Sequence, residues 1–388
     1  MTEWQRRKLG DLCTRITVGH VGSMASRYTE SGIPFLRSLN IKRGGLDLSS
    51  LKFIDDAFHA ELAKSQLKFG DLVIVRTGDP GTAALIPDDL GPMNCSDLVI
   101  VTPGPEVDAR FLCYAINETA QDFVKAHTVG AVQQHFNVKS AKQLEISLPP
   151  ISVQLKVSEL LGALDDMIAI NERIAARVDT LIGYLFRAAL YQPDPRQLPL
   201  LEALQVTFGS PFASSDFSTE GLGRPLLRIR DLKTYEPQIW TTQSLEKELV
   251  VDSGDVVAGM DAEFRPTFWL GKPALLNQRV MHVQPRVGGG RALAREALRE
   301  PLAAVESYKT GTTVAHLNKS DLSMLSVQVP SERATTVFGS KAEPLRQRLV
   351  ATAAESRALA ALRDTLLPQL MSGRLRVKDA EKIVEDAT

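Results

Sequence analysis

Asp231 and Lys233 have the types and spacing of a nuclease metal site, in which a carboxylate holds the cation beside a phosphate. No second acidic motif stands at a suitable distance upstream of this D-x-K fragment. The segment VGGGRALAR (287–295) lacks the Lys-Ser/Thr ending of a P-loop, so a flexible loop is the better interpretation. An NPPF-like tetrapeptide of an amino-methyltransferase is also missing. The sequence therefore predicts no catalytic residue, no metal site and no cofactor in this chain.

The composition is that of a globular protein without a strong overall charge. The 388 residues are 44% hydrophobic and carry 45 basic against 46 acidic side chains. This balance argues weakly against a protein that binds nucleic acid alone, although local basic loops remain possible. Cys13, Cys95 and Cys113 form no CxxC pair and no disulfide framework. Because no apolar run reaches about 18 residues, we expect a soluble cytoplasmic protein.

Polar side chains that can reach phosphates or base edges are the remaining candidates for chemistry. Arg, Lys, Gln, Asn, Ser and Thr can donate hydrogen bonds to DNA. Any single one can equally be a solvated surface group. The candidates are, in the first half, Arg37, Lys42, Arg43, Arg76, Thr77, Gln133 and Gln134, and in the second half, Arg228, Arg230, Lys233, Arg265, Thr313 and Lys319.

The chain contains one segment twice. GAVQQHFNVKSAKQLEISLPP (130–150) is matched by GTTVAHLNKSDLSMLSVQVP (311–330), and His135 and His316 are separated by 181 positions (316 minus 135). Further upstream, IPFLRSLNI matches RPLLRIRDL and FGDLVIV matches SGDVVAG. A period of about half the chain indicates a duplication rather than a solenoid.

Residues that match between the two copies and residues that differ between them support different interpretations. If the two copies bind different groups, their contacts should differ, so VQQ against TVA is more informative than the shared residues. The matched His135 and His316 could touch DNA, but a structural hydrogen-bonding role is favoured. Arg37 and Arg228 also match, and they could stabilise the fold through a buried hydrogen bond. Asp231 is matched by Asn40, which weakens the case for a metal site.

Each copy has the pattern of an α+β domain built around a strongly turned sheet. Short β-rich runs at 71–75, 97–101 and 145–148 are bounded by Gly, Pro and Asp turns. The segments PEVDARFLCYAINETAQDFVKAHT and GGGRALAREALREPLAAVESY have helical spacing at corresponding places.

A long helix is predicted after each copy. The apolar seam of the first runs through Val157, Leu161, Leu164, Ile168, Asn171, Ala175, Val178, Ile182, Leu185 and Ala189. About 40 residues at 1.5 Å each make a rod of roughly 60 Å. The second helix is predicted to start near Pro344, and it places Ser356 where the first has Asn171. Since neither can bury its seam alone, we expect the two helices to form an antiparallel coiled coil. Asn171 either sets the register of this pair or is simply accommodated.

These motifs together resemble the specificity subunit of type I restriction–modification systems. The residues that carry the resemblance are YTESGIPFLRSLNI (28–41), LKFGDLVIVRTG (67–78), GAVQQHFNVKSAKQLEISLPPISVQ (130–154) and LRDTLLPQLMSGRLRV (362–377). The resemblance covers nearly the whole chain. The second copy departs from it, since GMDAEFRPTFWLG stands where the first has RTGDPG.

The resemblance implies a non-catalytic subunit with two target recognition domains that read a bipartite sequence in double-stranded DNA. The paired helices would space these domains and dock two methyltransferase subunits, which bind SAM, and a motor-nuclease subunit could join. The implied organisation is 1–150 target recognition domain 1, 151–190 central spacer helix, 191–199 linker, 200–343 target recognition domain 2, 344–376 C-terminal spacer helix and 377–388 acidic tail. The alternatives are a stand-alone DNA-cleaving or modifying enzyme and a protein-binding scaffold.

Overall fold

The chain forms two compact units, each built from separate stretches of sequence. The computed structural model describes residues 4–127, 136–261, 264–309 and 316–387. Unit 1 comprises residues 1–167 and 359–388, and unit 2 comprises residues 168–358.

Most strands are short and end at Gly, Pro or Asp turns, as their sequences indicate. The strands of unit 1 are β1 (Gln5–Lys8), β2 (Cys13–Val18), β3 (Ile33–Leu36), β4 (Ile41–Lys42), β5 (Gly45–Leu46), β6 (Lys52–Ile54), β7 (Gln66–Leu67), β8 (Leu72–Val75), β9 (Ala83–Leu85), β10 (Met93–Cys95), β11 (Leu98–Pro103) and β12 (Glu145–Leu148). Those of unit 2 are β13 (Arg196–Pro199), β14 (Leu204–Phe208), β15 (Phe217–Ser218), β16 (Arg224–Leu227), β17 (Trp240–Thr241), β18 (Val250–Val251), β19 (Val256–Gly259), β20 (Thr267–Phe268), β21 (Ala274–Leu276), β22 (Val280–Pro285) and β23 (Ser326–Val329).

The described helices are α1 (Leu9–Leu12), α2 (Asp56–Glu61), α3 (Ala109–His127), α4 (Val138–Gln143), α5 (Ile151–Leu190), α6 (Leu200–Ala203), α7 (Gly290–Lys309), α8 (Lys319–Met324), α9 (Glu332–Met371) and α10 (Val377–Ala387). Among the described elements, α1, α3, α4 and α5 of the first copy correspond to α6, α7, α8 and α9 of the second, whereas α2 and α10 have no counterpart. Two short 3-10 turns that matter below span Ser38–Asn40 and Ile229–Leu232.

The sheets of the two units have the same topology. Unit 1 has the strand orders β2-β11-β8-β9 and β6-β3-β10-β7, and unit 2 has β14-β22-β19-β20 and β17-β16-β21-β18 with β15 added at the β17 edge. Each second sheet has one parallel pair, β3 with β10 and β16 with β21. The ribbon β1–β12 corresponds to β13–β23. The duplication and the α+β class predicted from the sequence are therefore confirmed.

The core of each unit lies between its first sheet and one helix. In unit 1, β8 and β11 are buried on both faces, as their unbroken apolar runs predict. The α3 helix buries Phe111, Leu112 and Ile116 completely. In unit 2, α7 buries Leu293, Leu298 and other apolar residues in the same way.

Helices α5 and α9 pack together in an antiparallel arrangement. In unit 1, Arg363 near the end of α9 donates to Asp165 of α5 at 2.7 Å. In unit 2, the rings of Phe186, near the end of α5, and Phe338, near the start of α9, are 5.6 Å apart. The predicted seam residues of α5 are all buried or half-buried, among them Val157 and Leu161 at 0% exposure.

The predicted start of the second helix near Pro344 is wrong, because α9 begins at Glu332. Pro344 removes one hydrogen bond from the helix interior. Burial of Phe338 and Ala342 against the core of unit 2 offsets that loss. Both ends of α9 lie 181 positions after those of α5 (332 minus 151, and 371 minus 190). The boundary predicted between residues 343 and 344 therefore falls inside α9.

Two other segments contain structure that the pattern did not reveal. The predicted linker 191–199 includes β13, which pairs with β23. The acidic tail forms α10, which buries Val377 and Ala380. Among the described residues, no helix is long and apolar enough to cross a membrane.

Asn171 lies in the seam with 5% exposure, and its Nδ2 has no hydrogen-bond partner among the described residues. The repeat matches it to Thr352 (352 minus 171 is 181), not to Ser356 as predicted. Thr352 is 1% exposed and its Oγ1 likewise lacks a partner in the described chain, whereas Ser356 is only half-buried. The two helices thus carry an unsatisfied polar side chain at equivalent positions.

Candidate nucleic-acid interface

The matched asparagines cap equivalent helices. The Oδ1 atom of Asn137 accepts the backbone N–H of Ser140 at 3.0 Å, at the start of α4. Asn318 accepts the backbone N–H of Asp321 at 3.0 Å, at the start of α8. N-caps of this kind satisfy donors that a helix leaves free. Their recurrence is thus explained by structure.

The matched Gly-Asp pairs form equivalent turns before β8 and β19. Gly70 and Gly254 have φ of 83° and 89°, a region that favours glycine. The following carboxylates accept backbone N–H groups, since Lys68 donates to Asp71 at 3.0 Å and Asp252 donates to Asp255 at 2.9 Å. These pairs are also structural.

Asp255 belongs to a buried charge cluster. Arg291 Nη2 lies 2.8 Å from its Oδ1, and His282 Nε2 lies 3.6 Å from its Oδ2. Burial by itself raises the pKa of Asp255. His282, the backbone N–H of Asp252 and Arg291 lower that pKa, and their combined effect is larger than that of burial. The pKa therefore lies below its ordinary value.

The matched arginines each begin a 3-10 turn. The backbone N–H of Arg37 donates to Asn40 Oδ1 at 3.0 Å, and that of Arg228 donates to Asp231 Oδ2 at 2.8 Å. The guanidinium of Arg37 donates to the Ser50 carbonyl at 2.5 Å. That of Arg228 lies 3.4 Å from Asp231. Both side chains therefore have structural partners.

The D-x-K fragment has the geometry of a turn. Asp231 is 0% exposed and closes the turn that Arg228 begins, as Asn40 does in unit 1. Lys233, two residues later, is exposed. Among the described residues, no group of His, Cys, Asp and Glu side chains is arranged to hold a metal ion.

The cysteine thiols are poor nucleophiles in this environment. Burial raises the pKa of Cys13 to about 12 and that of Cys113 to about 12. It also raises the pKa of Cys95. Thiols with such pKa values stay protonated at neutral pH, and the thiolate is the reactive form.

Three predicted residues of unit 1 lie along the second half of α3. Arg43 donates to the Asn117 carbonyl at 2.6 Å. The turn after β8 contains Arg76, Thr77 and Asp79. The Asp79 carboxylate accepts a hydrogen bond from Gln121 at 3.4 Å, and Gln121 lies one helical turn after Asn117 on α3. We call this surface, formed by Arg43, residues 76–81 and residues 117–121, the α3 edge.

Arg76 connects the α3 edge to the segment that follows α3. Its side chain pairs with Asp97, and its carbonyl accepts the backbone N–H of Phe136 at 3.1 Å. The predicted contacts Gln133 and Gln134, and His135, lie outside the described residues. They immediately precede Phe136, so the chain is held at the α3 edge directly after them.

Unit 2 has an equivalent surface beside α7. The backbone N–H of Phe264 donates to Glu306 Oε2 at 3.3 Å. The exposed Arg265 lines a cleft of about 580 Å³ together with Arg299 and Ala303. We call this surface, formed by residues 264–266 and the second half of α7, the α7 edge. The predicted Thr313 lies outside the described residues.

A charge cluster lies where the chain returns after α7. The backbone N–H of Leu317 donates to the Met260 carbonyl at 2.8 Å, as Phe136 does to Arg76. His316 Nδ1 lies 2.6 Å from Asp261 Oδ1 and 3.0 Å from Arg279 Nη1. The interpretation of His316 as a structural group agrees with these contacts. Sequence reasoning missed Arg279 and Arg299, because residue type alone does not distinguish them from the other arginines of the chain.

Four predicted cations lie on other exposed parts of the two units. Lys42 belongs to the β4–β5 hairpin next to Arg43, and Lys319 is the first residue of α8. Arg230 and Lys233 follow β16, on the 3-10 turn and directly after it. The structure therefore brings Arg43, Arg76 and Thr77 to the α3 edge of unit 1 and Arg265 and Arg299 to the α7 edge of unit 2. Arg279 lies in the separate charge cluster with Asp261 and His316.

Comparison with known proteins finds similarity to one family. Residues 1–180 match the family model described as type I restriction modification DNA specificity domain. The chain is 28% identical over 185 residues to the type I restriction enzyme EcoBI specificity subunit of Escherichia coli, a match that covers 46% of this chain and 39% of that subunit. It is 19% identical to the HindI specificity subunit of Haemophilus influenzae over 97% of this chain and 100% of that one.

A solved structure has the same fold. The S subunit of a type I restriction-modification system from M. genitalium aligns over 95% of this chain and 96% of its own, with a TM-score of 0.56 and 17% identity. The family match, the relative that aligns over nearly the full length and the duplicated α+β fold agree. The chain is therefore similar, in its first half by the family model and over nearly its full length by its relatives, to the specificity subunits of type I restriction–modification systems.

Proposed function

We propose that this chain recognises a bipartite sequence in double-stranded DNA, and that each unit reads one half of it. One observation carries the proposal. The same fold occurs twice, and the matched polar residues at helix starts and turns hold equivalent structural features, while the exposed edges differ between the copies. Two readers of different bases require a common scaffold and different contacts.

The edges of α3 and α7 are the proposed DNA contacts. The α3 edge offers Arg43, Arg76 and Thr77, and Gln133 and Gln134 precede the point where the chain rejoins it. The α7 edge offers Arg265 and Arg299, with Arg279 near the chain's return and Thr313 in the preceding segment. Guanidinium and amide groups can make bidentate contacts with guanine and adenine. The exposed Lys42, Arg230, Lys233 and Lys319 are proposed as phosphate contacts, and Arg37 and Arg228 as supports of their turns.

The chain is proposed to act without chemistry of its own. Methyl transfer to a base requires base flipping and a SAM-binding site, which two partner methyltransferase subunits supply in this proposal. A motor-nuclease subunit joins the complex for restriction. The complex acts in the cytoplasm, and the paired helices offer the partner subunits similar surfaces in both halves because α5 and α9 are equivalent in the repeat.

Methylation-sensitive sequencing of the host genome with and without this gene tests the proposal. The expected result is loss of methylation at one split sequence, which supplies both half-sites and the gap. Unchanged methylation would lead to a binding test with the assembled complex. There, DNA affinity that falls steeply with salt supports recognition, and its absence contradicts it.

A further inference from the structure

Two aspartates of α5 pair with arginines from the second half of the chain. In unit 1, Asp165 accepts from Arg363 of α9 at 2.7 Å, and these side chains are 12% and 19% exposed. In unit 2, Asp179 pairs with Arg295 and with Arg299 of α7, the latter at 3.1 Å. In both units, therefore, the aspartate belongs to the first half of the chain, before the 191–195 segment. The arginines belong to the second half, after that segment.

The repeat shows which residues would occupy these places if two copies of the same half paired. The offset of 181 makes Arg295 equivalent to Tyr114, and both are buried, at 2% and 7% exposure. Arg363 is likewise equivalent to Ile182, and Arg299 to Glu118. Two first halves would therefore place Asp165 opposite Ile182, so Asp165 would lose Arg363 and keep the groups of its own half, the Tyr114 hydroxyl and the nearby charge of Arg110. They would also place Asp179 beside Glu118, which has the same charge.

Two copies of the second half would bring cations together. Asp165 is equivalent to Arg346, so Arg346 would face Arg363. Asp179 is equivalent to Ala360, so Arg295 and Arg299 would share Glu296, which lies 2.5 Å and 3.4 Å from them. Arg346 and Arg363 would each keep an acidic neighbour of their own half, Glu343 at 2.7 Å and Asp364 at 2.8 Å, so the cost of this pair comes from the like charges that face each other.

We infer that these ion pairs make the two halves of the chain select each other and reject a second copy of themselves. A duplicated helix can otherwise bury its apolar seam against its own copy almost as well as against its partner. Charge placement across a helix interface determines partner choice at little cost to the correct pair. The device is asymmetric, because the first half supplies the acids and the second half the arginines. The inference requires neither DNA recognition nor methyltransferase binding, and of its residues Arg299 alone is also assigned to the α7 edge.

The test starts from the intact, folded chain with a protease site introduced between Tyr191 and Pro195, where Tyr191 is 88% exposed. After cleavage, the chain is unfolded in urea and refolded, and native mass spectrometry counts the three kinds of pair. We expect the mixed pair to dominate, with like pairs at least about tenfold below their random share. With Asp165→Ile and Asp179→Ala together, pairs of two first halves should rise towards the random share. A random mixture from the unsubstituted chain, or an unchanged distribution in the variant, would overturn the inference.

A second measurement uses the uncleaved chain, so that poor refolding leaves the inference testable. Asp165→Arg should lower the midpoint of thermal unfolding and produce dimers, and Asp165→Arg with Arg363→Asp should restore both. The matched control is Asp166→Arg, because Asp166 pairs with Arg110 of its own half at 2.8 Å and is far more exposed. Failure of the double variant to recover, or an equal change in the control, would contradict the proposed role.

Discussion

At the scale of single residues, comparison of the two copies distinguishes residues that stabilise the fold from residues that are proposed to contact DNA. Asn137 and Asn318 cap helices, and Asp71 and Asp255 close turns, so their recurrence follows from hydrogen bonding alone. The exposed Arg265 has a different environment, since it lines an open cleft. Recognition is therefore expected among residues that the repeat does not preserve.

Arg265→Ala should weaken binding of the assembled complex to DNA. If Arg265 contacts a base, the loss is about 1–3 kcal/mol and specificity relaxes at one position of one half-site. If it contacts a phosphate, affinity falls uniformly and the salt dependence becomes shallower. Fluorescence anisotropy with single-base variants of the target distinguishes the two outcomes.

The control for this variant is Arg224→Ala, since Arg224 pairs with Glu248 on the surface of the same unit. This change should leave affinity and salt dependence unaltered. Equal losses in both variants would show that Arg265 has no specific contact.

Asp255→Asn should reduce stability in a pH-dependent manner. A carboxyl whose pKa is lower in the folded state stabilises the fold above its ordinary pKa, and this contribution disappears as the pH falls through the folded value. Asp255 has such a lowered pKa, because His282, Asp252 and Arg291 outweigh its burial. The free energy of unfolding should drop by about 1–3 kcal/mol at pH 7, with a smaller difference near pH 3. Urea unfolding at both pH values measures it, and a pH-independent difference would refute this explanation.

At the scale of elements, the long helices show how tertiary packing overrides local preference. Proline is among the strongest helix-breaking residues, yet α9 continues through Pro344. The preceding turns bury Phe338 in the core of unit 2, which outweighs the lost hydrogen bond. The repeat contained the correct boundary, because the offset of 181 relates both ends of α5 to those of α9.

Replacing Asn171 by Leu or Thr352 by Val should stabilise the helix pair. Each side chain is buried with a polar atom that has no hydrogen-bond partner among the described residues. Removal of such a group gains about 1–2 kcal/mol of unfolding free energy when the apolar replacement fits. Thermal unfolding and size-exclusion chromatography measure stability and oligomeric state. A more stable protein with altered oligomeric state would show that Asn171 sets the register, and lower stability would show that its amide has a stabilising partner.

At the scale of the whole molecule, two units of equal topology predict separable recognition. Each unit has its own sheets and its own helix beside the proposed contacts. Exchanging residues 1–150 for those of a related subunit should change one half of the methylated sequence. The other half and the gap should stay the same. Methylation sequencing checks this, and simultaneous change of both halves would show that the units are not independent readers.

Local patterns in the sequence determined the class of fold, the duplication, both long helices and the resemblance to specificity subunits. Each of these depends on neighbouring residues, through strand and helix periodicity, or on similarity that persists between copies. The predicted contacts were found by residue type alone, which does not distinguish Arg37, tied to Ser50, from the exposed Arg265.

Only the tertiary structure decided which charges meet. Asp165 and Arg363 are 198 positions apart, and packing of α5 against α9 brings them to 2.7 Å. The clustering of Arg279 with Asp261 and His316 likewise needs strands and loops from distant parts of the chain. Hydrogen bonds and ion pairs act over a few ångströms in space, irrespective of separation along the chain, so their partners become visible only once the chain is folded.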